Sequence, residues 1–290
     1  MVASTSAMTL RRMRRIQLSS TSIRPEAWLY NPSSTFLDTT HVSTVDPTTF
    51  ANWAVSRIER FGPRGAYWAG KTPAQQALAP DAWEVVNEPD CKPCGSQAEP
   101  QAYAHLYMAT YDAVKAAGLT VDAGGQIRLG FYTIGDYQRP DGTWSQVDDG
   151  KGWLNDALAA EPRLRDAINA AGGMVIHPYG AINQSTSYNY GWGRITLYHT
   201  MATNAGITAK EWVTEAGYQV GCTGDDTCVP DAATQSANVD QMVREVKARP
   251  YILMFDYFNA KDYTEWRGGL FDSSGSARPA WNTYSYDVTH

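Results

Sequence analysis

The 290-residue chain carries a formal net charge of −6, and its 43% hydrophobic and 19% charged residues are typical of a globular protein rather than a disordered one. The acidic balance argues against nucleic acid as the main partner, because a duplex-binding protein normally presents a basic face. No apolar stretch of the sequence reaches the roughly 18 residues that cross a bilayer, so we expect no membrane partner either.

The N-terminal segment differs from the rest of the chain. Residues 1–24 contain five Arg, many Ser and Thr, and no acidic residue. No secretory signal is visible, since no apolar segment follows the basic run, although Arg- and Ser-rich composition also occurs in organellar transit peptides. We interpret residues 1–15 as a disordered or atypical tail and residues 16–290 as a single domain, because no internal repeat or low-complexity linker marks a boundary.

Short apolar runs then alternate with longer helical patterns, as in a parallel sheet with helices outside it. A weak strand, RIQLSS, precedes a helix over residues 45–62, in which Asp46 is the expected cap and Pro47 lies in the first turn. The strand AWEVV, a helix over 98–118 and the strand QIRLGFY follow. A long polar loop is predicted over 133–149.

The second half continues the alternation. Helices over 152–160 and 163–172 precede the strand GMVIH, and a helix over 192–206 precedes KEWVTE. A helix over 232–249 leads to the last strand, YILMFDYF, and a helix over 278–288 closes the chain. The pattern therefore predicts six strands, each followed by a helix.

Polar groups lie where three of these strands end. Glu88 follows AWEVV, His177 closes GMVIH, and Glu215 closes KEWVTE. In a parallel barrel all of these ends lie on one face, where active sites form, so we expect Glu88 and Glu215 to face each other. Two close carboxyls cannot both ionise easily, which leaves one acid and one anionic nucleophile. Glycoside hydrolysis requires such a pair.

Four stretches of the sequence resemble the clan A retaining glycoside hydrolases, over roughly residues 16–288. They are NEP after WEVV, HPY after MVI, TEAG after EWV, and the closing stretch GGLFDSSGSARPAWNTY. The resemblance implies an α/β fold of the TIM (β/α)8 type with catalytic Glu on strands four and seven. It also implies an enzyme that cleaves β-glycosidic bonds of a plant or microbial polysaccharide or oligosaccharide by double displacement.

Carried over by position, the resemblance implies that Glu88 is the acid/base and Glu215 the nucleophile. Asn87 would hold the substrate 2-hydroxyl, Tyr179 would donate to the nucleophile, and His177 would accompany it in the pocket. The plainer alternatives are ion pairs at loops or strand ends for the two glutamates, a structural histidine and a packed tyrosine.

An aromatic side chain under the sugar is also expected from the resemblance. Phe255 or Tyr257 on the last strand is the candidate for it. Trp83 and Trp266 are further candidates for substrate contacts, and core packing is the alternative for all four.

The pattern departs from the family at its N-terminus. If WEVVNEP is barrel strand four, RIQLSS is strand three, and the residues before it are too few for two βα units of about 30 residues each. We expect a barrel with about six units present, as a fragment, with a partner chain filling the gap, or with imperfect closure. The family's Arg at the end of strand two has no clear match beyond Arg14 or Arg15, so a non-catalytic carbohydrate-binding barrel or an inactive fragment is the competing interpretation.

The four Cys form two close pairs, Cys91 with Cys94 and Cys222 with Cys228. Two local disulfides are the leading interpretation, with a four-Cys zinc site and free thiols as alternatives. Disulfides would favour a secreted protein, and free thiols a cytoplasmic one. We expect no cofactor and no catalytic metal, because the five His show no paired spacing; a metal-dependent hydrolase using His177 is the weaker alternative.

Overall fold

The structure is a computed structural model. It describes residues 14–17, 23–29, 42–90, 98–119, 121, 127–135, 137–139, 141–146, 150–180, 195–224, 227–264 and 266–289, the first two ranges by their backbone alone. None of the helices in these ranges combines the length and the apolar character needed to span a membrane.

A closed barrel forms the centre of the molecule. The strands in chain order are β1 (Arg14–Gln17), β2 (Ile23–Leu29), β3 (Ala82–Val85), β4 (Arg128–Tyr132), β5 (Tyr137–Gln138), β6 (Trp144–Ser145), β7 (Gly173–Ile176), β8 (Lys210–Ala216), β9 (Gln219–Val220), β10 (Cys228–Val229) and β11 (Ile252–Tyr257). The barrel order is β1-β11-β8-β7-β4-β3-β2. Neighbours from β2 round to β11 pair in parallel, and β1 pairs antiparallel with both β2 and β11.

Helices cover the outside of this barrel. They are α1 (Pro47–Phe61), α2 (Pro73–Gln76), α3 (Pro100–Ala116), α4 (Trp153–Ala160), α5 (Leu164–Ala171), α6 (Ile195–Asn204), α7 (Ala232–Lys247) and α8 (Pro279–Thr289). Asp46 caps α1 as predicted, since its carboxylate accepts a hydrogen bond of 2.7 Å from the Thr49 amide. The helices predicted between the later strands are confirmed within a few residues at their ends.

The N-terminal end of the barrel corrects the sequence prediction. RIQLSS contributes β1, but β1 is antiparallel and does not lead into α1. The parallel strand before α1 is β2, which pairs with β3 and aligns Leu29 with Val85. Sequence analysis missed β2 because Pro25 lies within it, and Pro normally argues against a central strand. β1 joins β2 to β11, so the described strands form a closed ring.

Two short pairs of strands were also missed. β5 and β6 form an antiparallel hairpin inside the predicted polar loop, and β9 pairs with β10 in parallel. A disulfide joins Cys222 to Cys228 beside the second pair, which confirms that half of the cysteine prediction. Cys91 and Cys94 lie outside the described residues.

The N-terminal half of the barrel interior is filled by one large ring. Trp212 of β8 packs against Gly173 of β7 and Gly130 of β4. A Cβ on Gly173 would lie only 2.2 Å from the ring, and one on Gly130 would lie 2.8 Å from it. The guanidinium of Arg128 lies 5.8 Å from the Trp212 ring centre and forms a buried ion pair of 2.8 Å with Asp81. These residues form a packed layer in the barrel on the side away from the carboxyl ends of the strands.

A buried acid lies at the start of β8, away from those ends. Glu211 is 1% exposed, and its Oε1 lies 3.0 Å from Nδ1 of His199, whose ring stacks on Tyr251 at 3.7 Å. Burial raises the pKa of Glu211 to about 8, against the opposing attraction of Arg249. The folded protein therefore binds this proton more tightly than the unfolded chain does.

Replacing Glu211 by Gln should stabilise the protein relative to the wild type as the pH rises. An acid whose pKa is raised in the folded state stabilises the protein at low pH. This contribution is lost as the pH rises from the ordinary pKa of 4.5 to the folded-state pKa of about 8. We expect the difference in melting temperature to move in favour of Glu211→Gln by several degrees between about pH 5 and about pH 8. Thermal unfolding followed by circular dichroism measures it, and a difference independent of pH would contradict the prediction.

Candidate active site

The end of β3 turns sharply and aims Glu88 over the barrel mouth. Val86 and Glu88 have φ angles of 65° and 42°, in the left-handed region that non-glycine residues rarely adopt. Such strain costs about 1–3 kcal/mol per residue and is concentrated at functional sites. Tyr103 of α3 secures the turn, because its hydroxyl donates to the Val85 carbonyl at 2.7 Å and accepts from the Tyr132 amide at 2.8 Å.

A β-bulge at the end of β8 turns two consecutive residues toward the site. Val213 pairs with Phe255 and Ala216 pairs with Tyr257, so β8 has two residues, Thr214 and Glu215, where β11 has one. Side chains along a regular strand alternate between faces, but a bulge changes the direction of the extra residue. Thr214 and Glu215 can therefore both contact groups inside the barrel mouth.

His177, directly after β7, lies at the centre of a hydrogen-bond chain. Its Nδ1 is 2.9 Å from Oε1 of Glu88, and its Nε2 is 2.8 Å from Oγ1 of Thr214. The Thr214 hydroxyl donates to Oε2 of Glu84 at 3.0 Å. Glu84 and Thr214 are fully buried and His177 is 4% exposed, so the chain runs from the barrel interior up to the half-buried Glu88.

The two predicted catalytic glutamates do approach each other. Glu88, His177 and Glu215 each present a carboxylate oxygen or ring nitrogen within 4.8 Å of the others. Glu215 accepts a hydrogen bond of 2.5 Å from the hydroxyl of Tyr179. The same spacing is small enough for the three side chains to hold a metal ion, so metal dependence has to be tested rather than assumed.

The electrostatics of His177 are set by the carboxylates around it. Burial alone would lower the pKa of His177, but Glu215 and Glu84 attract the proton, the hydrogen bond to Glu88 adds to this, and the pKa rises well above its usual range.

Burial and the surrounding charges set the acidity of Glu215. Burial raises the pKa of Glu215 to about 8; His177 and the hydrogen bond from Tyr179 oppose the rise, while Glu88 and Glu84 add to it. Burial and the nearby Glu215 also raise the pKa of Tyr179 well above its ordinary value, so Tyr179 stays a neutral donor.

Four aromatic rings border the site, and we call them the aromatic wall: Tyr179, Phe258, Tyr263 and Trp266. Ring centres of Tyr179 and Trp266 are 5.6 Å apart, those of Phe258 and Trp266 are 5.4 Å apart, and those of Phe258 and Tyr263 are 6.3 Å apart. Trp266 is half-buried and was predicted as a substrate contact, whereas Phe258 and Tyr263 were missed.

The structure does not bring Trp83, Phe255 or Tyr257 into this group. Trp83 is buried and alternates with Glu84 along β3, so it lies on the outer face of the strand. Phe255 and Tyr257 both pack against Tyr284 of α8. The hydroxyl of Tyr257 donates to the Gly268 carbonyl at 3.1 Å, which makes it a support for the loop beneath Trp266.

Asn87 and Glu84 complete the polar lining. Asn87 is half-buried beside Glu88, and its Oδ1 is buried without a hydrogen-bond partner among the residues that the structure describes. Glu84 was not singled out from the sequence, although a charged residue inside the apolar run WEVV is a usable signal. Thr214 carried no such signal, because its role depends on the bulge.

No protein-family model matches the chain, and no curated protein is significantly similar to it. Solved structures do match. A GH39 β-xylosidase from Caulobacter crescentus has a TM-score of 0.53 and 16% identity over 87% of this chain and 51% of its own. A GH39 enzyme from Xanthomonas axonopodis pv. citri has a TM-score of 0.51 and 16% identity over 88% of this chain and 49% of its own.

A GH128 (subgroup II) endo-β-1,3-glucanase from Pseudomonas viridiflava has a TM-score of 0.49 and 16% identity over 83% of this chain and 75% of its own. The chain thus spans about half the length of the two GH39 structures. The likeness to those two shows the fold, which is an α/β barrel.

Replacing Gly217 by Ala should destabilise the site more than the same change elsewhere. A Cβ on Gly217 would lie 2.1 Å from the Phe258 carbonyl oxygen, so β8 and β11 would have to separate where the site is formed. We expect a loss of about 3 kcal/mol in the free energy of unfolding. Gly118→Ala is the matched control, because nothing lies within 4 Å and only the φ of +73° opposes it, at about 1 kcal/mol.

Denaturant unfolding of both variants measures the difference. Equal losses in Gly217→Ala and Gly118→Ala would show that the close approach of the two strand ends is not a constraint.

Proposed function

We propose that the protein is a retaining glycoside hydrolase that cleaves β-glycosidic bonds by double displacement. The observation that supports this most is the approach of Glu88 and Glu215 to within 4.8 Å at the carboxyl ends of the barrel strands. Retaining enzymes hold their two carboxyls about 5–5.5 Å apart, whereas inverting enzymes need about 6.5–9.5 Å to admit a water molecule.

In the first step Glu88 protonates the glycosidic oxygen while a carboxylate oxygen of Glu215 attacks the anomeric carbon. The bond to the leaving group breaks, and a covalent glycosyl-enzyme forms through an oxocarbenium-like transition state. In the second step Glu88, now a carboxylate, removes a proton from water, which attacks the anomeric carbon and releases Glu215. Glu88 is protonated again at the end, so the cycle closes.

The neighbouring groups suit these steps. Tyr179 donates to Glu215 and so stabilises the anion that must attack. Asn87 is half-buried next to Glu88, and its buried Oδ1 has no partner among the described residues, which supports its expected contact with the substrate 2-hydroxyl. Three rings of the aromatic wall, those of Tyr179, Tyr263 and Trp266, are partly exposed and offer flat apolar surfaces to a sugar.

The substrate class is therefore a β-linked oligosaccharide or polysaccharide. The Cys222–Cys228 disulfide favours an oxidising compartment, so we infer that the protein is exported.

Glu215→Ala should abolish hydrolysis of aryl β-glycosides, with a fall in kcat of about 1,000-fold or more, because the nucleophile is lost. Glu211→Gln, which changes another buried glutamate of β8, should keep wild-type activity. Proton NMR of the initial products should show the β anomer. Unchanged activity in Glu215→Ala, or the α anomer as first product, would overturn the proposal, and binding of oligosaccharide without turnover would favour a non-catalytic barrel.

Glu88→Ala should have an effect that depends on the leaving group. Hydrolysis of natural glycans requires protonation of a poor leaving group and should fall by about 100-fold or more, whereas aryl glycosides with acidic phenols should be affected much less in the first step. Steady-state rates on a series of aryl leaving groups measure this. Equal losses on all substrates would contradict the acid role, and loss of wild-type activity in a metal chelator would point instead to a metal bound by Glu88, His177 and Glu215.

A further inference from the structure

Gln235, in the first turn of α7, carries a buried amide that contacts two of the loops at the barrel mouth. It is 0% exposed, and its helix is capped by Asp231, whose carboxylate accepts from the Thr234 amide at 2.7 Å. Its Nε2 lies 3.1 Å from the carbonyl oxygen of Tyr218 and 3.0 Å from that of Gly268. Since Tyr218 follows β8 and Gly268 lies in the loop after β11, Gln235 joins the two loops.

The two carbonyl oxygens determine the orientation of the Gln235 amide. A carbonyl oxygen can only accept a hydrogen bond, so the side chain must direct its NH2 group, and not its Oε1, toward Tyr218 and Gly268. The hydroxyl of Tyr257 completes the cluster, 3.1 Å from Nε2 of Gln235. It accepts from the Tyr218 amide at 3.3 Å and donates to the Gly268 carbonyl at 3.1 Å. Two buried side chains thus donate to the Gly268 carbonyl.

The indole of Trp266 lies directly on the backbone that this cluster holds. A Cβ added to Gly268 would lie 2.3 Å from Nε1 of Trp266, and one added to Gly217 would lie 3.5 Å from the ring. The ring is therefore in contact with the backbone of both glycines, and a shift of the Gly268 peptide would move it. Because Trp266 is half-buried in the aromatic wall, its place there depends on where Gly268 is held.

Tyr218 extends the same cluster to the loop after β7. Its hydroxyl donates to the Gly180 carbonyl at 2.9 Å. Gly180 follows Tyr179, whose ring centre is 5.6 Å from that of Trp266. The loops after β7, β8 and β11 are consequently linked by one group of buried hydrogen bonds.

We propose that Gln235 is a positioning residue for substrate binding, which holds the Gly268 carbonyl so that Trp266 presents its ring to a sugar unit. The proposal rests on the proposed glycoside hydrolase activity, since it assigns Trp266 to the binding of that enzyme's substrate. A ring that is held in place before the sugar arrives binds it with a smaller loss of conformational freedom. Gln235 therefore acts on affinity and not on the chemical step.

Gln235→Met keeps the approximate size of the side chain and removes its hydrogen-bond donors. We expect KM for aryl β-glycosides to rise by about tenfold and kcat to change by less than about threefold, because binding common to the ground and transition states is lost. Dissociation constants of β-linked hexasaccharides of glucose and of xylose should rise by the same factor. Calorimetry measures them in the Glu215→Ala background, where the sugars are not hydrolysed. The matched control is Tyr107→Phe, which removes another buried hydrogen bond to a strand carbonyl, that of Leu129 at 3.2 Å, and should leave KM and the dissociation constants unchanged.

A double-mutant cycle with Trp266→Ala separates this role from a merely structural one. If Gln235 acts through the indole, Gln235→Met should weaken binding about tenfold when Trp266 is present and by less than about twofold in Trp266→Ala. Equal losses in both backgrounds, an unchanged dissociation constant in Gln235→Met, or full binding by Trp266→Ala would overturn the inference. Tyr257→Phe removes one of the two donors to the Gly268 carbonyl. It serves if Gln235→Met does not fold, and it should show a smaller rise in KM with the same dependence on Trp266.

The position of the Trp266 ring can also be followed without any sugar. In protein labelled with fluorotryptophan, the fluorine NMR signal of Trp266 is assigned by its loss in Trp266→Phe. This signal should shift or broaden in Gln235→Met but not in Tyr107→Phe, and an unmoved signal in Gln235→Met would overturn the inference. If the wild type neither binds nor hydrolyses the sugars, the proposed function fails, and the NMR signal still decides whether Gln235 positions the ring.

Discussion

Three glutamate side chains converge on one histidine at the carboxyl ends of the strands, and the rest of the site depends on that charge balance. Burial of Glu84 and Glu215 without a cation would favour their neutral forms. His177 meets this constraint by contacting Glu88 and Thr214 directly and Glu84 at 3.6 Å. The strained turn at Val86 and the bulge in β8 are local departures from regular structure that bring the carboxylates to it.

The barrel separates this polar end from an apolar one. Trp212 occupies the interior below Thr214 because Gly130 and Gly173 leave room for its ring. Tight packing in that layer provides stability that the charged layer above it does not. Strain and buried charge at one end of a barrel are tolerated when the other end is packed in this way, which is the division of roles expected between the two faces of such folds.

The sequence was sufficient to predict the alternation of strands and helices. It was also sufficient to predict that Glu88, His177, Tyr179 and Glu215 lie close together, because each follows or closes an apolar run that forms a strand. It was not sufficient for features that depend on register. The aromatic contact was predicted at Phe255 or Tyr257, and Phe258 was not considered, because a strand end cannot be located to one residue from the pattern alone and one residue reverses the face. The role of Thr214 was not predicted because it depends on a bulge, and β2 was not predicted because Pro25 lies within it.

The site depends little on the part of the barrel that departs from the expected pattern. Glu84 and Glu88 come from β3, His177 from the end of β7, and Glu215 from β8. These strands belong to one run of parallel pairs, in which β3 pairs with β4, β4 with β7, β7 with β8, and β8 with β11. β1 and β2 complete the ring on the other side, between β11 and β3. The geometry of the carboxylate pair therefore follows mainly from the local turns after β3 and β7, the bulge in β8 and the parallel pairing from β3 to β11.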